Sequence, residues 1–395
     1  MKSERPALRV AIACGGTGGH LFPGLAVGHE LVAQGCEVTL LISPKEVDQQ
    51  AVRGAGSEFQ IVTLPAVGLS GRNFFGFLTA SFGSWRSAVR AFRPAPPHAV
   101  LAMGGFTSAP PVLAGGKFGA ITFLHESNTI PGRANRWLAH VVQECFVGFP
   151  EASERLWNQR VAVTGTPVRP QFTPMDAAGA RTALGLRADQ PVLAVVGGSQ
   201  GASGLNRMVT AALPQLMAQT DLQIFHLTGP LDCEEVRAAY APFGRRARVQ
   251  PFCSEMELLL GAATLAVSRS GASSLAELAA MGVPSLLVPF PAAVDNHQFH
   301  NASAFAGTGA ARLLEQHRTS PDHLAATVRT LLADSAQLEA MAAAATRQYQ
   351  PDAAAVIAGR ILDVTAQMKK LPLRPRPLAG KESGMPRASL QEVAA

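Results

Sequence analysis

Two apolar segments of this chain each run directly into a glycine-rich turn followed by a helical pattern, and this feature constrains the fold most. The first segment, Leu8–Cys14, leads into Gly15-Gly16-Thr17-Gly18-Gly19-His20. The second, Pro191–Val196, leads into Gly197-Gly198-Ser199-Gln200-Gly201-Ala202. A strand, a tight turn and a helix open a parallel βαβ unit. The chain is therefore predicted to contain two parallel sheets.

Further strand candidates continue this rhythm in both halves of the chain. They are Glu37–Ile42, Phe59–Leu64, Ala99–Ala102, Ile121–Leu124 and Glu144–Val147 in the first half, and Leu222–Leu227, Ala247–Gln250, Thr264–Val267 and Ser285–Val288 in the second. One hydrophobic core rarely serves more than about 250–300 residues, and this chain has 395. The prediction is an α/β fold of two Rossmann-like, doubly wound domains that share a cleft.

A cluster of proline and glycine at Thr164–Pro174 predicts the linker between these domains. We expect an N-terminal domain over residues 1–168 and a C-terminal domain over 169–351. A last helix over 352–370 is predicted to pack back on the N-terminal domain. The basic, proline-rich tail over 371–395 has the composition of a disordered segment.

Composition narrows the class of protein. Hydrophobic residues make up 47% and charged residues 16%, as in globular proteins, and the net charge of +6 suits anionic partners. Lysine and arginine are dispersed and no nucleic-acid-binding module is present, so nucleic acid is not an expected partner. The five scattered cysteines without a C-x-x-C pair predict a reduced protein without a structural zinc site. The polar start and the lack of an apolar run of about 20 residues predict peripheral membrane contact at most.

The first glycine-rich turn has the properties of an anion-binding loop. Its glycines allow the backbone N–H groups to approach a ligand at a helix start. A dinucleotide fingerprint does not fit, because the G-x-G-x-x-G register is incomplete and no acid follows at Ile42-Ser43, and no Gly-Lys-Ser/Thr of a Walker A loop is present. His20 is a candidate base toward a sugar hydroxyl, or else a residue that positions the loop.

The second half of the chain adds further candidate ligand-binding residues. Ser199 and Gln200 lie in the second glycine-rich turn, which could hold a diphosphate. The Ser268–Ser274 segment predicts a helix N-terminus facing an anion, and Glu277 in that helix could accept hydrogen bonds from ribose hydroxyls or serve only the helix dipole. The amide-rich stretch Asp295–Asn301, with Gln298, suits the hydroxyls of a hexose.

Two segments of the first half and the linker add further candidates. His125-Glu126-Ser127-Asn128 follows a buried strand, and Arg169 on the linker could bind a phosphate or form an interdomain salt bridge. The segment Leu69–Arg93 contains several aromatic and basic residues and no acid. It predicts a membrane-facing patch, or alternatively a helix with a buried aromatic face. The candidate patch residues are Phe74, Phe75, Phe77, Trp85 and Arg86.

Taken together, these motifs closely resemble the MurG family of bacterial transferases, which move N-acetylglucosamine (GlcNAc) from UDP-GlcNAc onto lipid I to make lipid II. The resemblance covers about Leu8 to Leu362. The motifs are Gly15–His20 with Phe22-Pro23-Gly24, Met103-Gly104-Gly105-Phe106, His125–Asn128, Gly165–Arg169, Gly197–Gly201, Arg269-Ser270-Gly271-Ala272 and Asp295–Asn301. Ala292, Thr107 and Ala109 depart from the family pattern and bear on details of sugar and acceptor contacts.

The resemblance implies a GT-B architecture, an inverting reaction at the C4 hydroxyl of the acceptor, His20 as catalytic base, and neither cofactor nor metal. It implies UDP-GlcNAc, lipid I, anionic lipid headgroups and cell-wall synthesis proteins as partners, at the cytoplasmic face of the inner membrane. Less favoured alternatives are a GT-B transferase with another lipid or small-molecule acceptor and a UDP-sugar 2-epimerase. The motifs and the resemblance together predict a set of UDP-GlcNAc-binding residues. They are Thr17, Gly18, Gly19, Asn128, Arg169, Ser199, Gln200, Cys253 (through its backbone, at the uracil), Ala272, Ser273, Ser274, Leu275, Ala276, Glu277, Gln298 and Asn301.

Overall fold

The structure is a computed structural model. It describes residues 7–45, 48–49, 52, 58–65, 74–198, 201–218 and 221–370, with the side chains of residues 74 and 75 excepted. The predictions for Ser199, Gln200 and the tail over 371–395 lie outside the described residues.

The first sheet contains seven parallel strands in the order β3-β2-β1-β4-β5-β6-β7. Their bounds are β1 Arg9–Ala13, β2 Glu37–Ile42, β3 Phe59–Thr63, β4 Ala99–Ala102, β5 Ile121–Glu126, β6 Glu144–Val147 and β7 Val161–Val163. The order reverses at β1, so the loops after β1 and β4 flank the crevice where such sheets bind ligands. This is the edge that carries the first glycine-rich turn.

Helices cover both faces of this sheet. They are α1 Gly18–Ala33, α2 Phe74–Phe92, α3 Ala109–Lys117 and α4 Arg133–Ala139. Side chains of β1 alternate between the two faces: Val10 and Ile12 pack with α1, whereas Ala11 and Ala13 pack toward α2 and α3. Because both faces of the sheet are covered, residues 10–13 of β1 are all apolar.

The second sheet contains six parallel strands in the order β10-β9-β8-β11-β12-β13. They are β8 Val192–Val196, β9 Gln223–Leu227, β10 Ala247–Gln250, β11 Leu265–Ser268, β12 Ser285–Leu287 and β13 Ala311–Leu313. The helices are α5 Ala177–Ala183, α6 Ser203–Leu216, α7 Cys233–Tyr240, α8 Met256–Ala262, α9 Ala272–Ala280, α10 His297–Gly307, α11 Pro321–Leu332 and α12 Ser335–Gln348. They cover both faces, with α6, α7 and α11 on one and α5, α8, α9 and α10 on the other. The predicted fold class is confirmed.

The last helix, α13 (Ala353–Lys369), crosses back to the first sheet. Ile357, Ile361 and Val364 are buried there in the same apolar cluster as α1. Arg360 donates two hydrogen bonds of 3.0 Å to the carboxylate of Glu144, which is 2% exposed. These contacts tie the end of the described chain to the N-terminal sheet.

Candidate active site

The turn after β1 approaches the end of β2 so closely that glycine is required. A Cβ on Gly15 would lie 2.4 Å from the backbone nitrogen of Ser43, and Gly16 adopts a φ of 117°. The helix that follows begins at Gly18, although its apolar helical pattern in the sequence starts only at Phe22. Sequence patterns place helix starts late at such sites because glycine has a low helix propensity.

Asp48 is a structural partner of this turn that the sequence analysis missed. The carboxylate is fully buried, and its Oδ2 accepts hydrogen bonds from Gly16 N–H (2.7 Å), Ser43 N–H (3.1 Å) and the Ser43 hydroxyl (2.6 Å). On the other side, the Thr107 hydroxyl donates to Gly15 O at 2.7 Å. No local pattern connects these residues, since they meet only in the folded sheet.

His20 occupies the third position of α1 and is half-buried against the loop after β4. A Cβ on Gly104 would lie 3.0 Å from its Nε2, and one on Gly105 would lie 3.1 Å from its Cε1, so both glycines leave space for the ring. Its Nδ1 lies 3.3 Å from the Thr17 hydroxyl. Burial lowers the pKa of His20 to about 4, against a smaller raising effect of Asp48. The imidazole is therefore neutral at physiological pH, so one of its ring nitrogens can accept a hydrogen bond.

The N-termini of α1 and α9 face each other across the space between the two sheets. The Ser273 hydroxyl lies 3.6 Å from where a Cβ on Gly19 would be. The N-caps of these helices, Thr17 and Gly271, make no side-chain capping bond, and neither first turn contains an acid. The Ser270 hydroxyl does not cap α9, because it donates to Gln298 O at 2.7 Å. Backbone N–H groups and the positive ends of two helix dipoles therefore converge on one point.

A cleft of about 620 Å³ opens at this point. Its lining includes both domains and the turn after β8, with Val196 and Gly198. Seven of the predicted donor residues line it: Gly18, Gly19, Arg169, Cys253, Ser273, Ser274 and Glu277. Phe252, an exposed aromatic residue, lies next to Cys253 at one end. Such a mixed apolar and polar wall is typical of a small-molecule site.

Arg169 and Glu277 form an ion pair within the cleft. Arg169 Nη2 lies 3.6 Å from Glu277 Oε1, and the side chains are only 16% and 14% exposed. The guanidinium lies 4.1 Å from the ring centroid of Phe22 on α1 and 4.9 Å from that of Phe172. Burial raises the pKa of Glu277 to about 7, while Arg169 acts in the opposite direction. Glu277 lies in the second turn of α9, beyond the first turn where an acid interacts best with the helix dipole.

Glu126 organises the loop between β5 and α4. Its Oε1 accepts from Asn128 N–H (2.8 Å) and Asn128 Nδ2 (2.9 Å). Its Oε2 accepts from Gly132 N–H (2.9 Å) and Asn135 Nδ2 (2.7 Å). The preceding His125 is fully buried, and its Nε2 donates to Gly165 O at 3.1 Å. Burial lowers the pKa of His125 to about 4, so this histidine is a neutral structural residue.

The replacement Glu126→Gln should lower the free energy of unfolding by about 2–4 kcal/mol, because an amide nitrogen would face one pair of these donors. Urea unfolding measures this. The exposed Glu151 of the same domain provides the matched control, and Glu151→Gln should change stability by less than about 0.5 kcal/mol. Equal stabilities for the two variants would contradict the role given to Glu126.

Asn128 and Asn301, both predicted to bind the donor, contact each other. Asn301 is fully buried, and its Nδ2 donates to Asn128 Oδ1 (3.0 Å) and Ser270 O (3.1 Å). Its Oδ1 accepts from the Thr129 N–H (2.9 Å) and hydroxyl (3.0 Å). Asn301 thus joins the two domains in this conformation. Nearby, Asp295 accepts from Arg136 at 2.8 Å, a second link across the cleft.

The remaining predicted residues are distributed around this centre. Gln298 Oε1 accepts from Phe290 N–H at 2.9 Å. Thr17 is exposed at the start of α1. Ala272, Leu275 and Ala276 line a smaller cavity of about 240 Å³ on another side of α9. Within the described residues, no group of three or more histidine, cysteine or acidic side chains is placed to hold a metal ion.

The predicted membrane segment forms α2, with a mixed surface. Phe82 and Leu78 are 57% and 45% exposed, and the Arg86 guanidinium lies 5.9 Å from the Phe82 ring centroid. Trp85 is half-buried with Lys117 Nζ 5.2 Å from its ring centroid, and Phe77 packs edge-on against Phe106. The side chains of Phe74 and Phe75 lie outside the described part of the chain. Among the described residues, none of the helices combines the length and apolar character needed to cross a bilayer.

Comparison with known proteins identifies the family of both domains. Residues 10–147 match the Glycosyltransferase family 28 N-terminal domain, and residues 192–357 match the Glycosyltransferase family 28 C-terminal domain. A relative from Acidithiobacillus ferrooxidans (strain ATCC 53993 / BNL-5-31) is 40% identical over 362 residues, covering 90% of this chain and 97% of the relative. It is named UDP-N-acetylglucosamine--N-acetylmuramyl-(pentapeptide) pyrophosphoryl-undecaprenol N-acetylglucosamine transferase.

One solved structure supports the same family, and another shows only the same fold. The crystal structure of Acinetobacter baumannii MurG has a TM-score of 0.70 and 29% identity, covering 91% of this chain and 100% of that one. A UDP-N-acetylglucosamine 2-epimerase has a TM-score of 0.66 at 15% identity, covering 93% of this chain and 99% of that one, which shows a shared fold alone. The chain belongs to the MurG family of glycosyltransferases, with the N- and C-terminal domains of glycosyltransferase family 28.

Proposed function

We propose that this transferase moves GlcNAc from UDP-GlcNAc to the C4 hydroxyl of the N-acetylmuramyl group of lipid I, which yields lipid II. The observation that carries this proposal is the meeting of the uncapped N-termini of α1 and α9 beside the Arg169–Glu277 pair. Two helix N-termini and an arginine suit a diphosphate without requiring a metal ion.

The donor would lie along the cleft of about 620 Å³. Its uracil would lie at the Phe252–Cys253 end, and the ribose hydroxyls would donate to the Glu277 carboxylate. Arg169 would turn from Glu277 to the diphosphate, since a phosphate offers its planar fork a stronger pair of acceptors. Gln298, whose amide already bonds the Phe290 N–H, would position the sugar.

His20 would take the proton of the acceptor hydroxyl. The hydroxyl oxygen would form the new bond to the anomeric carbon as the bond from that carbon to the UDP oxygen breaks. The proton would pass to the imidazole and the negative charge to UDP. That charge would develop at the two helix N-termini, which are positioned before the reaction begins and need no reorganisation.

The acceptor would approach from the N-terminal domain, where α2 presents Phe82, Leu78 and Arg86 to the outside. Exposed aromatic and aliphatic residues beside arginines suit an anionic lipid surface. This supports peripheral attachment to an anionic membrane, which we propose to be the cytoplasmic face of the inner membrane.

A transfer assay tests the proposal. Purified protein should transfer radiolabelled GlcNAc from UDP-GlcNAc to a short-chain lipid I analogue and not to diacylglycerol. A parallel reaction without acceptor monitors epimerisation of the donor. With full-length lipid I in vesicles, anionic vesicles should support faster transfer than neutral ones. Transfer to diacylglycerol alone, or epimerisation without transfer, would overturn the proposal, and equal rates in both vesicles would overturn the lipid-contacting role of α2.

A further inference from the structure

Arg269 is a buried cation at the ligand-binding edge of the second sheet. It follows β11 directly, its backbone N–H donates to Val196 O at 3.1 Å, and the residue is 5% exposed. Val196 is the last residue of β8 and lines the cleft. Arg269 therefore lies at the carboxyl ends of two neighbouring strands, on the edge of the sheet that faces the proposed donor.

Among the described residues, the guanidinium donates hydrogen bonds to neutral groups alone. Its Nη1 donates to Val288 O (2.9 Å) and Pro289 O (3.0 Å), and its Nη2 donates to Gln316 Oε1 (2.7 Å). Its buried Nε has no hydrogen-bond partner within that part of the chain. No ion pair joins Arg269 to an acid in the part of the chain that the structure describes. Burial lowers the pKa of Arg269 to about 10, which leaves the group charged at neutral pH.

Its neighbours belong to the loops that follow β12 and β13, at the same edge of the second sheet. The guanidinium lies 5.6 Å from the ring centroid of Phe290, whose N–H is bonded to Gln298. Gln316 Nε2 lies 2.6 Å from where a Cβ on Gly204 would be, at the start of the helix that follows the second glycine-rich turn. A buried charge without a counter-ion is costly to maintain. An anion bound at this edge would offset that cost.

We infer that Arg269 is a positioning residue that attracts the diphosphate of the donor from behind the cleft wall, while its hydrogen bonds hold the loop from Val288 to Phe290. This inference rests on the proposed donor. The alternative is that Arg269 only ties the loop to the sheet. The two roles differ in their dependence on ligand charge, because a structural tie serves a neutral nucleoside and a charged nucleotide alike, whereas a Coulombic attraction grows with the number of phosphates.

Arg181 offers a matched control within the same domain. It is half-buried, and its hydrogen-bond acceptors in the described part of the chain are also neutral: Ala262 O (3.0 Å), Ala188 O (3.0 Å) and Thr264 Oγ1 (3.1 Å). These acceptors precede β8 and β11, so Arg181 lies at the opposite edge of the sheet from the cleft. Its loss removes a similar set of hydrogen bonds far from the diphosphate.

The experiment compares dissociation constants of uridine, UMP and UDP at low ionic strength for the wild type, Arg269→Gln, Arg269→Lys and Arg181→Gln. Arg269→Gln should weaken UDP binding by about tenfold, weaken UMP binding less, and leave uridine within about twofold. Arg269→Lys should retain most of the preference for UDP over uridine, and Arg181→Gln should retain all of it.

Equal weakening of all three ligands in Arg269→Gln would overturn the inference and leave Arg269 a structural tie. If Arg269→Gln does not fold, Arg269→Lys tests the inference in its place. This variant keeps the positive charge, so loss of its preference for UDP over uridine would also overturn the inference. A wild-type protein that binds UDP no better than uridine would contradict the proposed donor site itself. The two failures are therefore distinguishable.

Discussion

Replacing His20 by alanine should lower the kcat for GlcNAc transfer to lipid I by about 10²–10⁴-fold, the usual contribution of a positioned general base. The ring lies between the Thr17 hydroxyl and the glycines of the loop after β4, and its low pKa keeps it uncharged. It is not among the residues that line the donor cleft. The dissociation constant of UDP-GlcNAc should therefore stay within about threefold of the wild-type value.

Steady-state kinetics with a soluble lipid I analogue, together with equilibrium binding of UDP-GlcNAc, measures both quantities. His140→Ala is the control, because His140 is an exposed histidine of the same domain that packs near Trp157. It should leave kcat unchanged. A His20→Ala enzyme with near-normal kcat, or one that has lost donor binding in proportion to its rate, would contradict the role of His20 as base.

Replacing Glu277 by alanine should raise the KM for UDP-GlcNAc by about 10- to 100-fold, because hydrogen bonds to a charged acceptor contribute about 1.5–3 kcal/mol each. The carboxylate is 14% exposed in the cleft wall and is paired with Arg169. If the carboxylate accepts hydrogen bonds from the ribose, 2′-deoxy-UDP-GlcNAc should bind the wild type more weakly than UDP-GlcNAc does. The two nucleotides should bind Glu277→Ala with equal affinity. If the variant instead weakens the binding of both nucleotides by the same factor, Glu277 does not contact the ribose.

Glu277 also predicts a pH dependence of donor binding. Burial raises its pKa to about 7, and the ionised form accepts hydrogen bonds, so binding selects the deprotonated carboxylate and releases a proton. Affinity for UDP-GlcNAc should therefore rise from about pH 6 to about pH 8 and be flat for Glu277→Gln. His20 does not interfere, because its pKa of about 4 leaves it neutral throughout this range. Calorimetry in buffers of different ionisation enthalpy measures the released proton.

Most strands could be predicted because their side chains are buried on both faces. In β8, Val192, Ala194 and Val196 pack on one face while Leu193 and Val195 pack on the other, so no polar residue interrupts the run. The two missed strands, Val161–Val163 and Ala311–Leu313, have three residues each and are only partly buried. Runs this short carry too little periodicity to be recognised.

The candidate site was predictable in part for a similar reason. Glycine-rich turns at strand ends are local patterns, and Gly18 and Gly19 after β1 and Gly198 after β8 do line the cleft. Asp48 was missed and the hydrogen bond of Thr107 to the first turn was not predicted, since these bonds join residues 32 and 92 positions apart. Asn301 has the chemistry to bind a sugar, yet its amide is bonded to the loop that contains Asn128, 173 positions away.

The sequence by itself determined the two parallel sheets, the family, and the turns that face the cleft, because each depends on residues adjacent along the chain. Only the tertiary structure decided which polar side chains remain available to a ligand. It pairs Arg169 with Glu277, joins Asn128 to Asn301, and buries Arg269 with no acid beside it among the residues that the structure describes. The physical reason is that hydrogen-bond partners are chosen by distance in space, which is set by how the two domains pack.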